Sequence, residues 1–473
     1  VDSDGERDHH LPWYVPTRLF DISSGEHHGW VNNGWTLSWS RPRHFFDNTP
    51  TVAEFGRGSP TGVDVYLHDA FPSRYRGGIF SCCWSLGRVY FTPIAPSGSS
   101  YAGKPEVFMQ TLGANGFAPC DVVVGPRGGL YVAIGGRGTQ GGVFRIAFHG
   151  THPQPSPGNP IDVVLSSSQP YASWSRTQWE PIARDLGSTA FEVAALDPSW
   201  RTSQRARAIE VLVDQFDGLP PAIADQFDGE DSPEILAKVA WALGRQEDPA
   251  AVDWLSSNTG HVDLRVVRAA LESLQRWPLQ EEGIQVSADA LNDRRVRSAY
   301  VRLVASGAKN NVEDALIDAR VRHARQGLSS DDVIHVSSLI SRSDSAERQL
   351  EAIRLIQLAL GDIRVTFSTP SGMVGFSSNG NDPISDDIAE ACASDLRNVF
   401  PSNDERVNTE AARLLSILKS DGRDWPTQML SRCTEATSPE NDLHYLMVLA
   451  HLQGERQRAD TQRTAEVLLS LHG

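Results

Sequence analysis

The feature that most constrains the fold is a basic residue that recurs about every 30 residues. It precedes small residues in four helix-forming stretches, at Arg207, Lys238, Arg268 and Arg297. Apolar residues recur at helical spacing in each stretch, and Asp, Pro or Gly lies between the stretches. A period of this length with paired helices indicates an α-solenoid, in which each unit packs on its neighbours along the array.

Two of these stretches share one motif in one register. Residues 263–271, DLRVVRAAL, and residues 293–301, DRRVRSAYV, resemble the D-x-x-V-R-x-A-A-x-x-L signature of HEAT repeats. The resemblance implies a HEAT-like, armadillo-like solenoid over residues 171–473. Residues 361–383 are β-prone and rich in glycine. We therefore expect them to form an excursion from the helical array.

The first 150 residues follow a different pattern, because β-prone runs alternate there with turn signals. Runs of this spacing are typical of a sandwich, a barrel or a propeller. Residues 151–170 are rich in Pro and Ser and are predicted to be a linker. The sequence thus predicts a multidomain β + α chain with a β-rich domain at 1–150. The runs are Gly62–Leu67, Gly78–Cys83, Arg88–Pro93, Glu106–Gln110, Asp121–Val124, Leu130–Ile134 and Val143–Phe148.

The composition excludes some classes of function. The chain has 43 Lys and Arg against 59 Asp and Glu, a net charge of −16, so we expect no sequence-independent nucleic-acid binding. No run approaches the length of a transmembrane segment, and none is predicted. The five cysteines have neither C-x-x-C nor C-x-x-C-H spacing, so no zinc ribbon or covalent haem is expected. The cysteines do not indicate whether the protein resides in an oxidising or a reducing compartment.

A glycine-rich tract, GGRGTQGG at 135–142, raises the question of a phosphate loop. A dinucleotide-binding loop lies between a strand and a helix. Here a strand pattern follows at 143–148, so we predict a hairpin loop instead. Two interpretations of Arg137, Thr139 and Gln140 stay open. Either they face a central channel and bind an anionic ligand, or Arg137 pairs with a carboxylate and closes the sheet.

A second candidate site combines aromatic rings with an arginine. Trp13, Tyr14, Arg18 and Trp30 suit stacking against a sugar, and they equally suit packing within a β-domain. Residues 1–8 carry four alternating acidic residues, but the chain lacks the glutamate that an EF-hand loop needs at its twelfth position. We therefore predict no metal site from these residues.

Three stretches, taken in order, resemble a known family. They are LPWYVPTRLFDISSGEHHGW at 11–30, residues 58–90, and CDVVVGPRGGLYVAIGGRGTQGGVFRI at 120–146. They resemble the last blades of the glucose/sorbosone dehydrogenase family of six-bladed β-propellers. The most similar branch is that of the membrane-bound dehydrogenases of planctomycete-type bacteria, in which HEAT repeats and often a cytochrome c domain follow the propeller.

The resemblance implies the C-terminal blades of a six-bladed-type β-propeller followed by a HEAT-like α-solenoid. A blade has four strands, so residues 1–150 supply about three blades, and we expect the chain to be a fragment. The family's general-base histidine would lie in upstream blades, so no catalytic residue is assigned. The chain departs from the family at FAPCD (117–121), which has no arginine, and at Arg127, where Asp is usual.

For function, the resemblance implies quinone-dependent oxidation of a sugar or alcohol, with electrons passing to a cytochrome. It also implies pyrroloquinoline quinone and Ca²⁺ as cofactors, and a periplasmic or extracytoplasmic location. We expect the fragment alone to be inactive, and whether the protein is an enzyme stays open. The alternative is a non-catalytic propeller and HEAT scaffold that binds a glycan or a protein partner.

Overall fold

The chain forms two compact units in a computed structural model. Unit 1 contains Pro16–Glu26 and Pro50–Val312, and unit 2 contains His27–Thr49 and Glu313–Gly473. The structure describes residues 16–31, 39–40, 42–112, 116–136, 138–150, 158–246, 248–278, 284–361, 375–378, 384–422 and 424–471.

Short antiparallel sheets make up the β-structure. In unit 1 the strand orders are β10-β7-β6-β5 and β11-β12-β13, and two further pairs are β1 with β4 and β8 with β9; β2 pairs with β3 in unit 2. The strands are β1 (Thr17–Leu19), β2 (Trp30–Val31), β3 (Trp39–Ser40), β4 (Ala53–Gly56), β5 (Pro60–Val65), β6 (Ile79–Cys83), β7 (Arg88–Thr92), β8 (Ile94–Ser97), β9 (Ser100–Gly103), β10 (Glu106–Gln110), β11 (Pro119–Val124), β12 (Leu130–Gly136) and β13 (Thr139–Ile146).

Alternate side chains of the two larger sheets point into one apolar core, as expected for sheets with one face covered. Tyr66 belongs to this core, and its hydroxyl donates a hydrogen bond to the Gly128 carbonyl at 2.8 Å. The other fully buried strand residues of the core are Phe80, Cys82, Val89, Phe91, Val122, Val124, Leu130 and Val132.

The predicted fold class is wrong. A propeller needs at least four blades of four strands around a channel. Within the described ranges the sheets have two to four strands each, and none closes into a ring. What the structure retains of the prediction is the order, a β-rich N-terminal region followed by a helical C-terminal region. The alternation of β-prone runs with turn signals did not distinguish a propeller from other folds, because short antiparallel sheets of any arrangement produce it.

The helices of unit 1 begin where the repeated motif predicts. Asp263 accepts a hydrogen bond from the Arg265 amide, and Asp293 accepts one from the Arg295 amide. These side chains cap the helices that follow, each worth about 1 kcal/mol. The helices are α1 (Pro160–Leu165), α2 (Ser173–Leu186), α3 (Ser188–Leu196), α4 (Thr202–Gln215), α5 (Pro221–Ala224), α6 (Pro233–Leu243), α7 (Ala251–Asn258), α8 (Leu264–Leu274) and α9 (Arg294–Ala305).

Alternate helices of unit 1 stack on one another. Helix α4 packs on α6, α6 packs on α8, and α8 packs on α9. Their buried faces consist of small and branched apolar residues at helical spacing. This stacking places the four basic residues of the 30-residue period, Arg207, Lys238, Arg268 and Arg297, on successive helices of the stack.

Unit 2 is mainly helical, with α10 packed on α12, α12 on α14, and α14 on α16. Its apolar core includes Phe45 from the N-terminal part of the chain, together with Phe376 and Trp425. The helices are α10 (Ala315–Gln326), α11 (Ser330–Ser341), α12 (Ala346–Ala359), α13 (Asp386–Arg397), α14 (Glu405–Ile417), α15 (Trp425–Ser431), α16 (Pro439–His451) and α17 (Arg458–Ser470).

Two predicted stretches lie partly outside the described residues. Of the expected excursion at 361–383, the structure describes only residue 361 and residues 375–378. Of the expected linker at 151–170, residues 151–157 lie outside the description, and α1 occupies part of the remainder.

No helix in the described ranges is long and apolar enough to cross a membrane. Helices α2, α4 and α12 have 14 residues each, whereas a spanning helix needs about 20 apolar residues.

Candidate functional site

The glycine-rich tract forms the turn between β12 and β13, where Gly136 pairs with Thr139 in an antiparallel hairpin. A strand follows the tract, as predicted, so it does not open a helix as a phosphate loop does. Gln140 is an exposed residue of β13, whereas Arg137 lies outside the described residues. The assignment of these residues to a cofactor stays a prediction.

Of the residues predicted to stack on a sugar, the structure describes Arg18 and the backbone of Trp30. Trp13 and Tyr14 lie outside the described residues, and Trp30 is a residue of β2 in unit 2. Arg18 lies in β1 of unit 1, is 1% exposed, and its guanidinium carbon is 5.1 Å from the ring centroid of Phe20. This guanidinium is therefore part of the interior of unit 1.

Metal ligation can be examined in the same ranges. No group of three or more His, Cys, Asp or Glu among the residues that the structure describes is arranged to hold a metal ion. The acidic residues of the stretch 1–8 lie outside these ranges. Among the described residues, carboxylates and guanidinium groups come together in a buried cluster in each unit.

In unit 1, residues 20–26 (FDISSGE), which we call the acidic loop, bring two carboxylates against α8 and α9. Asp21 Oδ2 accepts hydrogen bonds from Arg268 Nη1 and Arg295 Nη1, at 2.7 Å each. The Ser100 hydroxyl donates to the same oxygen at 2.8 Å. Arg295 is 3% exposed and also donates to the Asp21 carbonyl. Two stacked helices thus share one carboxylate from a non-helical segment.

Two further carboxylates complete this cluster. Glu26 lies 3.3 Å from Arg295 Nη2, and Glu272 lies 3.7 Å from Arg268 Nε. Burial raises the pKa of both glutamates, and the neighbouring arginines offset only part of this effect. Burial also acts on Asp21, but its ion pairs with Arg268 and Arg295 are stronger and hold its pKa below the usual value. Asp21 is therefore the ionised partner that holds the loop.

The β8–β9 hairpin holds the N-terminal end of α9 beside the acidic loop. Ser99 donates hydrogen bonds from its amide, at 3.0 Å, and from its hydroxyl, at 2.7 Å, to the Asp293 carboxylate. Gly98 has a φ of +56°, and a Cβ there would lie 2.6 Å from Asp293 Oδ2. The turn therefore requires glycine, and the helix cap is itself held by unit 1's β-structure.

In unit 2, residues 42–49 (PRHFFDNT), which we call the aromatic–acidic segment, lie against α10, α12 and α14. Asp47 accepts two hydrogen bonds from Arg354, one from Nε and one from Nη2, both at 2.8 Å. Arg354 is 2% exposed. This is the bidentate geometry in which a guanidinium recognises a carboxylate most strongly.

Aromatic rings of the same segment stack on guanidinium groups. Phe45 is 1% exposed, and its ring centroid lies 4.1 Å from the guanidinium carbon of Arg354 and 5.1 Å from that of Arg413. The Phe46 centroid lies 4.2 Å from the guanidinium carbon of Arg320. Cation–π contacts of this kind are strongest when they are shielded from water, as they are here.

Beneath the segment lies a buried carboxylate, Glu410, which is 2% exposed. It accepts hydrogen bonds from Arg413 Nε and Nη2 at 2.9 and 2.6 Å, and from Gln357 Nε2 at 3.0 Å. His44 Nε2 lies 2.8 Å from its other oxygen. Burial alone would raise its pKa, but Arg413, His44 and Gln357 hold the pKa of Glu410 far below its usual value. Glu410 is therefore ionised at neutral pH.

A neighbouring histidine makes the stability of unit 2 depend on pH. His444 is 4% exposed, and burial, assisted by Arg413, lowers its pKa to about 4. A histidine in the unfolded chain titrates near pH 6.5. Between pH 6.5 and 4 the folded state therefore binds fewer protons than the unfolded state. Its contribution to stability is fully present above pH 6.5. We expect unit 2 to lose up to about 3 kcal/mol as the pH falls through this window.

The measurement is hydrogen exchange of α14 and α16 amides at pH 7 and pH 4.5 in the wild type and in His444→Gln. Glutamine retains a donor for the Thr409 carbonyl, which lies 3.0 Å from His444 Nε2, but it does not titrate. The loss of protection between the two pH values should shrink in the variant. Equal losses in both proteins would contradict the assignment to His444.

Sequence reasoning reached only one residue of these two clusters. Arg268 belongs to the 30-residue period, and in the structure it donates a hydrogen bond to Asp21 of the acidic loop. Nothing in the spacing of Asp21, Phe45 or Asp47 marks them as partners of residues more than 200 positions away. The available signal was the excess of arginine on predicted core-facing helix positions, since a buried guanidinium needs a carboxylate or a ring beside it.

Comparison with known proteins adds little. No protein-family model matches the chain, and no curated protein matches it. Among solved structures, it is similar to a crystal structure of an engineered protein from the Northeast Structural Genomics Consortium, with 16% sequence identity over 66% of this chain and 98% of the other. The TM-score is 0.16, so this similarity carries no inference about fold or function.

Proposed function

We propose that the protein is a non-catalytic scaffold whose helices bind extended protein segments that carry carboxylates and aromatic rings. The observation that carries the proposal is the aromatic–acidic segment in unit 2. Its Asp47 accepts hydrogen bonds from two nitrogens of one arginine, and its Phe45 ring lies close to two guanidinium groups. These are contacts to side chains, which identify a particular sequence rather than any extended backbone.

The cluster in unit 1 supports the same chemistry independently. There the acidic loop presents Asp21 to Arg268 and Arg295, which belong to two stacked helices. In each unit, therefore, buried arginine binds a carboxylate from a segment without helical structure, with two neighbouring helices contributing in unit 1 and α12 alone in unit 2. Helical arrays commonly use such faces to bind extended partners.

The experiment uses a fluorescein-labelled peptide with the sequence of residues 42–49, added to the full chain and followed by fluorescence anisotropy. In the wild type, the chain's own segment competes at an effective concentration of about millimolar. In the Phe45→Ala variant this competitor is weakened, so the peptide should bind at least about tenfold more tightly than to the wild type. The control is the same peptide with Phe45→Ala and Asp47→Asn, which should not bind.

Absence of binding to the Phe45→Ala variant would overturn the proposal. The dehydrogenase activity implied by the family resemblance stays a separate prediction, together with its quinone, Ca²⁺, cytochrome partner and extracytoplasmic location. The same preparation tests it: reconstitution with pyrroloquinoline quinone and Ca²⁺ should give dye reduction with an aldose or alcohol if that prediction holds. A glycan partner would be indicated by competition of a sugar with the peptide.

A further inference from the structure

The basic residues of the 30-residue period do not all pair with carboxylates in the same way. Arg268 of α8 receives Asp21 from the acidic loop, in addition to Glu272 of its own helix. The preceding positions of the period are Arg207 on α4 and Lys238 on α6. Helices α4 and α6 stack on each other as α8 and α9 do. Helices α4 and α6 therefore form a pair equivalent to α8 and α9.

On α4 and α6, two cations share one carboxylate. Glu210 lies 3.2 Å from Arg207 Nη1 and 2.8 Å from Lys238 Nζ. We call Arg207, Glu210 and Lys238 the α4–α6 site. Arg207 is only 6% exposed, yet its Nε and Nη2 atoms have no hydrogen-bond partner within the described part of the chain. Buried guanidinium nitrogens normally find acceptors, because an unpaired buried donor has lost its hydrogen bonds to water without replacement.

Aromatic rings surround this site. The guanidinium carbon of Arg207 lies 4.5 Å from the ring centroid of Trp179 and 5.5 Å from that of Tyr171. Tyr171 is 60% exposed, and its side chain is hydrogen-bonded to Glu210 and Arg207. The ammonium of Lys238 lies 4.8 Å from the ring centroid of Trp241. The site thus has an exposed aromatic ring beside its buried arginine and a second, partly exposed cation.

We propose that the α4–α6 site binds a carboxylate of an extended acidic segment from a partner protein. The Tyr171 ring would move aside, and the carboxylate would accept hydrogen bonds from Arg207 Nε and Nη2. Lys238 would then supply the opposite charge on the neighbouring helix. This inference rests on the proposed function, because it uses the mode of recognition that the acidic loop shows on α8 and α9.

Charge favours this occupant over a nucleic acid. The site has two cations and one carboxylate, an excess of a single positive charge, which one carboxylate neutralises. A phosphate backbone would bring several negative charges to a chain whose net charge is −16. An acidic peptide with one carboxylate beside an apolar or aromatic residue matches both the charge and the exposed ring of Tyr171.

The test uses a fluorescein-labelled peptide with the sequence of residues 20–26 and the full chain, at low salt. Lys238→Met and Arg207→Lys should each weaken binding by about tenfold, because the first removes a charge and the second removes the guanidinium fork. Arg184→Met is the matched control, since Arg184 is an exposed cation of α2 that pairs with Glu180. It should bind the peptide like the wild type. Circular dichroism melting curves identify any variant that fails to fold.

The outcomes separate this inference from the proposed function. Unchanged binding by Lys238→Met and by a folded Arg207→Lys would overturn the α4–α6 site, while binding of the 42–49 peptide to Phe45→Ala would still support the scaffold. Equal binding of the 20–26 peptide carrying Asp21→Asn and Glu26→Gln would overturn the role of the carboxylate. Competition by inorganic phosphate at concentrations far below those of acetate would also contradict a carboxylate partner.

Discussion

Arg413→Met is expected to lower the free energy of unfolding of unit 2 by about 3–5 kcal/mol. Arg413 is fully buried and supplies two of the hydrogen bonds that Glu410 receives, at 2.9 and 2.6 Å. Methionine fills a similar volume but leaves the Glu410 charge with only His44 and Gln357. The pKa of Glu410 should rise, because burial would then dominate. Hydrogen exchange of α14 amides measures the change in unfolding free energy.

The same helix offers a matched control. Arg406 pairs with Asp404 and Glu347, but its side chain is 44% exposed, so Arg406→Met should cost at most about 1 kcal/mol. The double variant Arg413→Met with Glu410→Gln should recover most of the loss, since no uncompensated charge remains. Equal effects of Arg406→Met and Arg413→Met would contradict the assignment of a buried, ionised Glu410.

Phe45→Ala should also lower the free energy of unfolding of unit 2 by about 3–5 kcal/mol, although Phe45 lies far from the helices of this unit in the sequence. The ring is buried in the core cluster of unit 2 and stacks on Arg354 and Arg413. Truncation removes the apolar contacts, leaves a cavity and exposes two guanidinium groups to an empty space. We expect hydrogen exchange to rise together in the 42–49 segment and in the amides of α12 and α14.

Leu469→Ala is the control for this prediction, because Leu469 is a large apolar residue of α17 in the same unit and is 72% exposed. Its loss should change stability by about 0.5 kcal/mol or less. If exchange rises in the 42–49 segment alone after Phe45→Ala, the segment does not stabilise α12 and α14. In that case the central role given to the segment in unit 2 is wrong.

Local structure was accessible from the sequence because it depends on neighbours along the chain. The repeated motifs at 263–271 and 293–301 predicted helices, and the structure shows that their first residues, Asp263 and Asp293, cap α8 and α9. The β-prone runs at 62–67 and 143–148 coincide with parts of β5 and β13. A helix cap or a strand pattern is fixed within a few residues, so one sequence is enough to find it.

The arrangement of these elements was not accessible in the same way. Strands of the same length and spacing fit a propeller blade or a small open sheet, and only pairing between distant residues decides between them. The sites depend on such distant pairing even more. Asp47 meets Arg354 across 307 positions, and Asp21 meets Arg295 across 274. A single sequence contains no pattern that reports contacts of this range.

The most direct test of the central claim is photo-cross-linking of the 42–49 peptide, with benzoylphenylalanine in place of Phe45, to the full-length Phe45→Ala variant. In the chain itself, Phe45 lies against Arg354 of α12 and Arg413 of α14. Mass spectrometry of the digested adducts should therefore find the peptide attached to residues of these two helices. Adducts elsewhere, or none under conditions in which the peptide saturates anisotropy, would contradict recognition of acidic and aromatic segments by the helices of unit 2.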